Sequence, residues 1–396
     1  MTPRRAVVID VVRTPFGKGR GGGALAGTHP VDLLASVLDA LLARTDMDPA
    51  LVDDVIAGCS LPVGEQARNI ARHALLAAGM PVEVPGVTID RKCGSFQQAV
   101  HFAAQGVMAG AYDAVIACGI EMMSAIAMKA NRLGRDELGP RFRKRFPEGL
   151  VGQGISAELM AARWNLQRSE LDEFALRSHQ LASQAQEEGR LAARIVPVTA
   201  PEGHRVEFDE GIRPTTNMAA LAALRPAYQD EEMGRRFPEI EWRVTAGNSS
   251  PLTDGASATL IMSEQLALSL GLTPLAAVVG FTAVGDDPIV MLAGVIPATM
   301  KLLARHGLHS NDIGLYEVNE AFASVVLAWA NELKVDLDRI NVDGGAIAYG
   351  HPIGASGGRL LAGLVDNLQR GGSRYGLMTM CESGGMANAT LLEAVS

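Results

Sequence analysis

The sequence predicts an α/β fold made of two copies of one βαβ-rich unit. Three observations carry that prediction. Short apolar runs alternate with amphipathic segments along most of the chain, the pattern of parallel strands covered by helices on both faces. The C-terminal third repeats the order of elements found in the first. Glycine is abundant, 43 of 396 residues, with no collagen period, so many tight turns are required.

Residues 5–12 read as the first strand. The glycine-rich run 17–27 reads as a loop, since it lacks the strand–GxGxxG–helix context and the Lys-Ser/Thr ending of a phosphate loop. Helices are expected at 30–44 and 67–79, and strands near 53–58, 86–90 and 113–119. The stretch VTIDRKCGSFQQA (87–99) hands a short strand to a helix that runs to Gly110, with Ala99, Val100, Ala103 and Val107 on its apolar face. An insertion follows at about 120–248. It carries a locally basic stretch (131–145), then a helix over 169–189 with Ser169 as N-cap and Asp172 in the capping-box position. Residues 195–198 read as an edge strand containing Pro197. In the last third, 276–281 answers the first strand and 296–306 the first helix. Likewise 312–318 answers the strand at 53–58, 356–370 the helix after Cys93, and 374–381 the strand at 113–119. Copies of this kind stack face to face and share a site where helix starts meet.

The length fits two or three domains or one large α/β unit. With 48% apolar residues the chain can bury a large core. A formal net charge of −9 makes nucleic acid or an anionic membrane a poor main partner. No apolar run approaches a membrane span, and the start runs into a strand rather than a signal peptide. The last residues, Glu393-Ala394-Val395-Ser396, are not a peroxisomal tripeptide. The cysteines, Cys59, Cys93, Cys118 and Cys381, form no CxxC and no metal-ligand spacing with histidine. That fits a reducing compartment and a cytoplasmic location.

Cys93 is the first candidate for chemistry. Free cysteines are mostly buried and inert. One at a strand-to-helix turn, however, sits where unpaired backbone N–H groups and the helix dipole favour a thiolate. At an ordinary pKa of about 8.5 only roughly 3% of a thiol is ionised at pH 7, and this placement is expected to lower the Cys93 value. Three further stretches stand with it: EVNEAFA (317–323), NVDGGAIAYGHPIGASG (341–357) and CESGGM (381–386). His351 lies between Gly350 and Pro352 in the repeat-mate of the Cys93 turn, and Cys381 ends a buried strand.

Together these stretches resemble the thiolases, the acetyl-CoA acetyltransferases and 3-ketoacyl-CoA thiolases, over essentially the whole chain. The resemblance also rests on VVRTPFGK (11–18), CGS (93–95), GIEMMS (119–124), GNSS (247–250) with DGA (254–256), and a terminal Cys-x-x-Gly-Gly (381–385). The set of Cys93, NEAF, His351 and Cys381 separates it from the ketoacyl synthases, whose sites resemble Cys-His-His.

The resemblance implies two repeated halves packed as a five-layered αβαβα core. The N-terminal half would be 1–119, completed by 249–271. An inserted loop domain, 120–248, would bind CoA and make oligomer contacts, and 272–396 would be the C-terminal half. The implied activity is that of an acyl-CoA:acetyl-CoA C-acyltransferase, reversible thiolysis of a 3-ketoacyl-CoA or the reverse Claisen condensation through an acyl-Cys93 intermediate. No permanently bound cofactor and no metal are implied. CoA and acyl-CoA thioesters would be the substrates, and the protein a homodimer or homotetramer. Cys93 would be the nucleophile and His351 would take its proton. Cys381 would move a proton at the α-carbon. His351 and a water held by Asn319 would form one oxyanion hole, and the backbone N–H groups of Cys93 and Ser383 a second. Ser250 and Ala246 would line the pantetheine, Ala321 and Phe322 its tunnel, and Arg213 and Tyr228 the adenine side.

Four departures from the family pattern bear on function. Phe96 stands where Gly is usual and is expected to reshape the acyl pocket or support a different neighbour. Ser383 replaces a Gly and would be strained if that position needs a positive φ. Tyr349 stands where Leu is common, and Gln153 where Met is common near the pantetheine. The Cys-Glu-x-Gly-Gly ending and the Gln97-Gln98 pair resemble thiolases of actinobacterial steroid and side-chain breakdown, which points to a bulky acyl group. The alternative, a non-catalytic acyl-CoA- or lipid-binding relative, draws only on Phe96 and Ser383.

Overall fold

A computed structural model describes residues 4–395. The chain opens with β1 (Ala6–Arg13), β2 (Gly17–Lys18), α1 (Pro30–Thr45), β3 (Asp54–Gly58), α2 (Ile70–Ala77), β4 (Gly86–Ile89), α3 (Ser95–Ala109) and β5 (Ala114–Met122). A long excursion then holds α4 (Gly139–Arg145), α5 (Gln153–Arg163), α6 (Arg168–Glu187), β6 (Val198–Thr199), β7 (Arg205–Val206), α7 (Met218–Ala222) and α8 (Glu231–Arg236). The chain rejoins the sheet as β8 (Thr253–Ser263), followed by α9 (Glu264–Ser269), β9 (Ala276–Gly285), α10 (Val295–Arg305), β10 (Leu315–Val318) and α11 (Ala323–Leu333). It ends with α12 (Ala346–Tyr349), α13 (Ser356–Gly371), β11 (Tyr375–Glu382) and β12 (Met386–Ala394).

The strands form one path, β10-β11-β12-β9-β1-β8-β5-β3-β4, with β2 on β8. The path mirrors itself about the β1–β9 join, where Ala6, Val7 and Val8 pair with Val278, Ala277 and Ala276. On either side, β1, β8, β5 and β3 answer β9, β12, β11 and β10, so the repeat in the sequence is a repeat in space. The expected parallel sheet is only partly found. The pairs β3·β4, β3·β5 and β10·β11 are parallel, whereas β1, β8, β9 and β12 pair antiparallel with their neighbours. The physical reason is connectivity. β12 follows β11 through a tight turn, and β8 arrives from the excursion, so neither enters by the crossover helix that parallel neighbours need.

Five layers follow from side-chain alternation along the strands. In β1, Val7 and Ile9 face an outer layer with Leu33, Leu34 and Leu38 of α1 and Leu75 of α2, while Ala6 and Val8 face a middle layer. The parity then flips, with Val11 inward and Val12 outward, because a bulge shifts the β1–β8 register between Val8 and Asp10. The middle layer is α3 and α13, buried between both halves of the sheet through Val100, Ala103, Leu360, Leu361 and Leu364, with Met378 and Leu392 from the C-terminal side. Beyond that side, α10 and α11 form the last layer around Leu302, Val325 and Trp329.

Several local readings are corrected. The run 17–27 contains β2, paired at Gly17 and Lys18 with Asp254 and Thr253. The N-cap of α6 is Gln167, in a capping box with Glu170, and Ser169 lies inside the helix. The expected edge strand at 195–198 is split: Ile195 makes an isolated parallel bridge with Arg13 of β1, where the Val196 N–H donates to the Arg13 carbonyl (2.7 Å), and past Pro197 a second pairing starts at Val198, opposite Val206.

Phe96 is fully buried in the middle layer rather than in an acyl pocket. Its ring lies against Gly119, Gly357 and Gly358, where an added Cβ would come within 3.1–3.2 Å of it. The bulky residue thus fills a seam that three glycines leave open. Phe96→Ala is expected to lower stability by about 3–5 kcal/mol, read as a shift in the denaturant midpoint. An unchanged midpoint would mean that the ring is not packed as described.

Candidate active site

The Cys93 turn is built as a sharp elbow. After β4, Lys92 adopts a left-handed conformation (φ 52°), and the Ser95 hydroxyl clamps the turn, accepting from Arg91 N–H (2.9 Å) and donating to the Lys92 carbonyl (2.6 Å). Gly94 is the N-cap of α3, so Cys93 lies two residues before the first helical residue, Ser95. Opposite, the loop from Gly350 leads into α13. The two helix starts meet so closely that a Cβ on Gly357 would lie 3.0 Å from the Gln97 nitrogen. The end of β11, with Cys381 and Glu382, closes the third side: a Cβ on Gly94 would collide with the Glu382 carboxylate. The Asn388 amide of β12 also donates to the Gly94 carbonyl (3.0 Å).

The histidine tautomer can be derived. His351 Nδ1 lies 2.6 Å from Ser356 Oγ, and the Ser356 hydroxyl spends its one proton on the Pro352 carbonyl (2.8 Å). Ser356 must therefore accept, so Nδ1 carries the hydrogen and Nε2 is left with a lone pair. Nε2 is buried without a protein partner among the described residues. Burial, then the Arg359 charge, lowers the His351 pKa to about 4. At neutral pH the ring is thus an uncharged base.

Cys93 does not have the lowered pKa expected from the helix end. Burial pushes it up to about 12, with the Glu382 charge adding to the rise, and the Gln153 amide, 3.9 Å from the sulfur, opposing it. The thiol is only 3% exposed, and loss of water outweighs what the helix end offers to a residue outside its first turn. Cys381 is raised well above the ordinary range, by burial first and then by Cys93 and Glu382 beside it. Asn319, just past β10, is held by its N–H on the Thr379 carbonyl (3.1 Å). Both polar atoms of its buried side chain lack protein partners. Ser383 is not strained: the positive φ values fall on Gly384 (88°) and Gly385 (77°).

Residues outside the expected catalytic and CoA-binding set hold the site in place. Glu320, buried within NEAF, accepts from Ser178 Oγ (2.6 Å), Asn341 Nδ2 (2.9 Å) and Ile347 N–H (3.1 Å), fixing α12 just ahead of His351. Glu121 accepts from the N–H groups of Ser60 (2.9 Å) and Gly354 (3.0 Å), tying the His351 loop to β5. Tyr349 lies between the guanidinium groups of Arg13 and Arg359, 5.8 and 5.3 Å from its ring centre, and its hydroxyl donates to the Asp343 carbonyl. Arg359 also bonds Glu317 (3.0 Å).

The expected CoA residues fall into two groups. Ser250 bonds the Ala321 carbonyl through its N–H (3.0 Å) and hydroxyl (3.1 Å). Ser249 bridges to Phe322, and Tyr228 meets the Phe322 ring edge-on at 5.9 Å. Exposed Ala246 precedes the same turn. Arg213 is exposed, its N–H on His179 Nδ1 (3.2 Å), and no described contact joins it to the others. Among the described residues, no group of three or more His, Cys, Asp or Glu is placed to hold a metal ion, and no helix is long and apolar enough to cross a membrane.

Comparison with known proteins matches residues 6–265 to the family model "Thiolase, N-terminal domain" and 272–394 to "Thiolase, C-terminal domain". The chain is 44% identical to the steroid 3-ketoacyl-CoA thiolase FadA6 of Mycobacterium tuberculosis, over 98% of this chain and 94% of that one. It is 42% identical to a 3-ketoacyl-CoA thiolase of Yersinia enterocolitica, over 98% and 99%. The crystal structure of the Bacillus anthracis acetyl-CoA acetyltransferase superposes with a TM-score of 0.87 at 37% identity, over 99% of each chain.

A raised thiol pKa leaves Cys93 protonated at neutral pH. Its alkylation by iodoacetamide is therefore expected to climb about tenfold per pH unit between pH 6 and 8. A flat profile over that range would reveal a standing thiolate instead.

Proposed function

The chain belongs to the thiolase family, and on that premise we propose how its residues carry the reaction. It is an acyl-CoA:acetyl-CoA C-acyltransferase, which cleaves a 3-ketoacyl-CoA with CoA to acetyl-CoA and a shortened acyl-CoA, or runs the reverse condensation. A purely acyl-CoA- or lipid-binding role is not supported, since Phe96 is core packing and Ser383 is unstrained.

The observation that carries the assignment of roles is the His351 tautomer, which leaves Nε2 an unpartnered base, together with a buried, protonated Cys93 at the start of the helix that meets α13. His351 Nε2 takes the Cys93 proton as the sulfur attacks the 3-keto carbon. The bond between C2 and C3 then breaks, leaving an acyl thioester on Cys93 and an acetyl-CoA enolate. Cys381 protonates the enolate at C2, and its raised pKa keeps that proton available. The CoA thiol gives its proton to the Cys381 thiolate as its sulfur attacks the acyl-Cys93 thioester, and the C–S bond to Cys93 breaks as His351 returns its proton to the leaving sulfur, releasing the shortened acyl-CoA and restoring both cysteines and the neutral imidazole. His351 and a water on Asn319 stabilise the enolate oxygen. The Cys93 and Ser383 N–H groups stabilise the tetrahedral oxygen, where each such donor contributes about 3–4 kcal/mol.

Ala246, Ser250, Ala321 and Phe322 take the pantetheine, and Tyr228 and Arg213 the adenine side. Residues 120–248 act as the CoA-binding and oligomer-contact unit between the halves 1–119 with 249–271 and 272–396. The working form is a homodimer or homotetramer in the cytoplasm. The identity to a steroid thiolase and the Cys-Glu-x-Gly-Gly ending support a bulky acyl group.

Incubation with acetoacetyl-CoA, or with a larger 3-ketoacyl-CoA if the pocket excludes it, is expected to leave an acyl adduct in the intact mass. Cys93→Ala should abolish the adduct, and an adduct that survives this change would remove Cys93 from the nucleophile's role. Cys381→Ala should still acylate at Cys93 but condense at least 100-fold more slowly, about 2.7 kcal/mol. Undiminished condensation would remove Cys381 from the role of acid–base.

A further inference from the structure

Glu382 is a carboxyl group that the mechanism above does not use. It is 0% exposed, and neither of its oxygens has a hydrogen-bond partner among the described residues. Burying a polar group unpaired costs about 1–3 kcal/mol, so it calls for a reason. Its position supplies one. Glu382 is peptide-bonded to Cys381, and its carboxyl fills the space that a Cβ on Gly94, the neighbour of Cys93, would need. It therefore lies close enough for its charge to act on both thiols that must gain and lose protons.

We propose that Glu382 is a positioning residue that governs thiolate formation at Cys93. As an uncharged acid it permits the thiolate, and as a carboxylate it opposes it, so that turnover falls on the alkaline side. This rests on the reading of Cys93 as the nucleophile. The groups that face Glu382 are Arg91 and Asp90 on the elbow, Cys93 beyond them, and Cys381 on its own strand. From β12 it meets the uncharged Asn388 amide and Met386, whose sulfur is 3.9 Å from Arg91 Nη1. Burial raises the Glu382 pKa to about 8, Arg91 opposing and Asp90 adding to the rise. The sign follows. Below that pH the acid is neutral and the Cys93 proton leaves against burial and the Glu121 charge. Above it a second negative charge adjoins the sulfur. A Cβ at position 94 would displace the carboxyl, which gives Gly94 a role distinct from capping α3.

The test compares the wild-type enzyme with Glu382→Gln, which keeps shape and polarity but cannot ionise. Cys93 alkylation by iodoacetamide is followed by peptide mass from pH 6.5 to 9.5, with acyl-adduct formation from a 3-ketoacyl-CoA measured alongside. The ratio of variant to wild-type alkylation rate is expected to rise about tenfold across that range, one unit of thiol pKa, and the alkaline fall in wild-type turnover should disappear in the variant. A ratio that does not change with pH overturns the inference while an adduct on Cys93 leaves the nucleophile reading intact. Absence of any adduct on Cys93 in the wild type, whatever the ratio, overturns that reading and the inference with it. Should Glu382→Gln melt early, the wild-type profile decides alone: the inference requires its alkylation rate to climb less steeply above pH 8 than below, and an unbroken slope overturns it.

Discussion

The site depends on how closely α3 and α13 approach at their first turns. Both helices bury most of their side chains between the two halves of the sheet, their first turns entirely, so they cannot move apart without exposing a core. Their starts are lined by glycines because no other residue fits: a Cβ on Gly357 or Gly358 would press on Phe96, and one on Gly354 would enter the backbone of β3 and β5. Cys93 arrives just before one helix and His351 just before the other. The distance between the two residues proposed as nucleophile and base is thus set by the packing of a hydrophobic layer, the most rigid part of a protein.

That same burial decides the electrostatics. Removed from water, thiols rise, the imidazole falls, and carboxyl groups rise. The resting site is therefore a set of uncharged acids and one uncharged base. Charge appears only when substrate arrives with an oxygen to carry it, and the donors that receive it are already fixed. The supporting polar groups, Glu320 and Glu121, are satisfied by two or more N–H or O–H donors each. They orient the loops that carry the site.

The repeat, the helices and the placing of Cys93, His351, Cys381 and Asn319, the side chains proposed for the chemistry, at turns and strand ends were legible in the sequence because each follows from local pattern: apolar period and glycine turns. What failed was tertiary in origin. Phe96 sits close to Cys93 in sequence, but a helix turns about 100° per residue, which carries its ring away from the pocket and into the seam. The direction of β8 and β12 depends on connections that residue pattern does not encode. The Cys93 pKa was misjudged because a helix start can be read from sequence and depth of burial cannot. Gln167 displaced Ser169 as the cap of α6 because a side-chain pair, Gln167 with Glu170, closes both ends of the box. Arg213 remained isolated because long loops leave little periodicity to place their side chains.

The strand order has a consequence for how the chain reaches this state. β1 is the first strand to leave the ribosome, yet one of its two neighbours is β8, with Thr259 bonding Asp10 across 249 positions, and the other is β9. β1 must wait, unpaired and apolar, until two thirds of the chain has been made. β5 waits as well for its partner β8. Contacts of such sequence separation form late and slowly, and a waiting apolar strand is open to pairing with other chains. Folding of the N-terminal half is thereby timed by synthesis of the strand that follows the excursion, which makes the length of that excursion a kinetic property of the protein as well as a structural one.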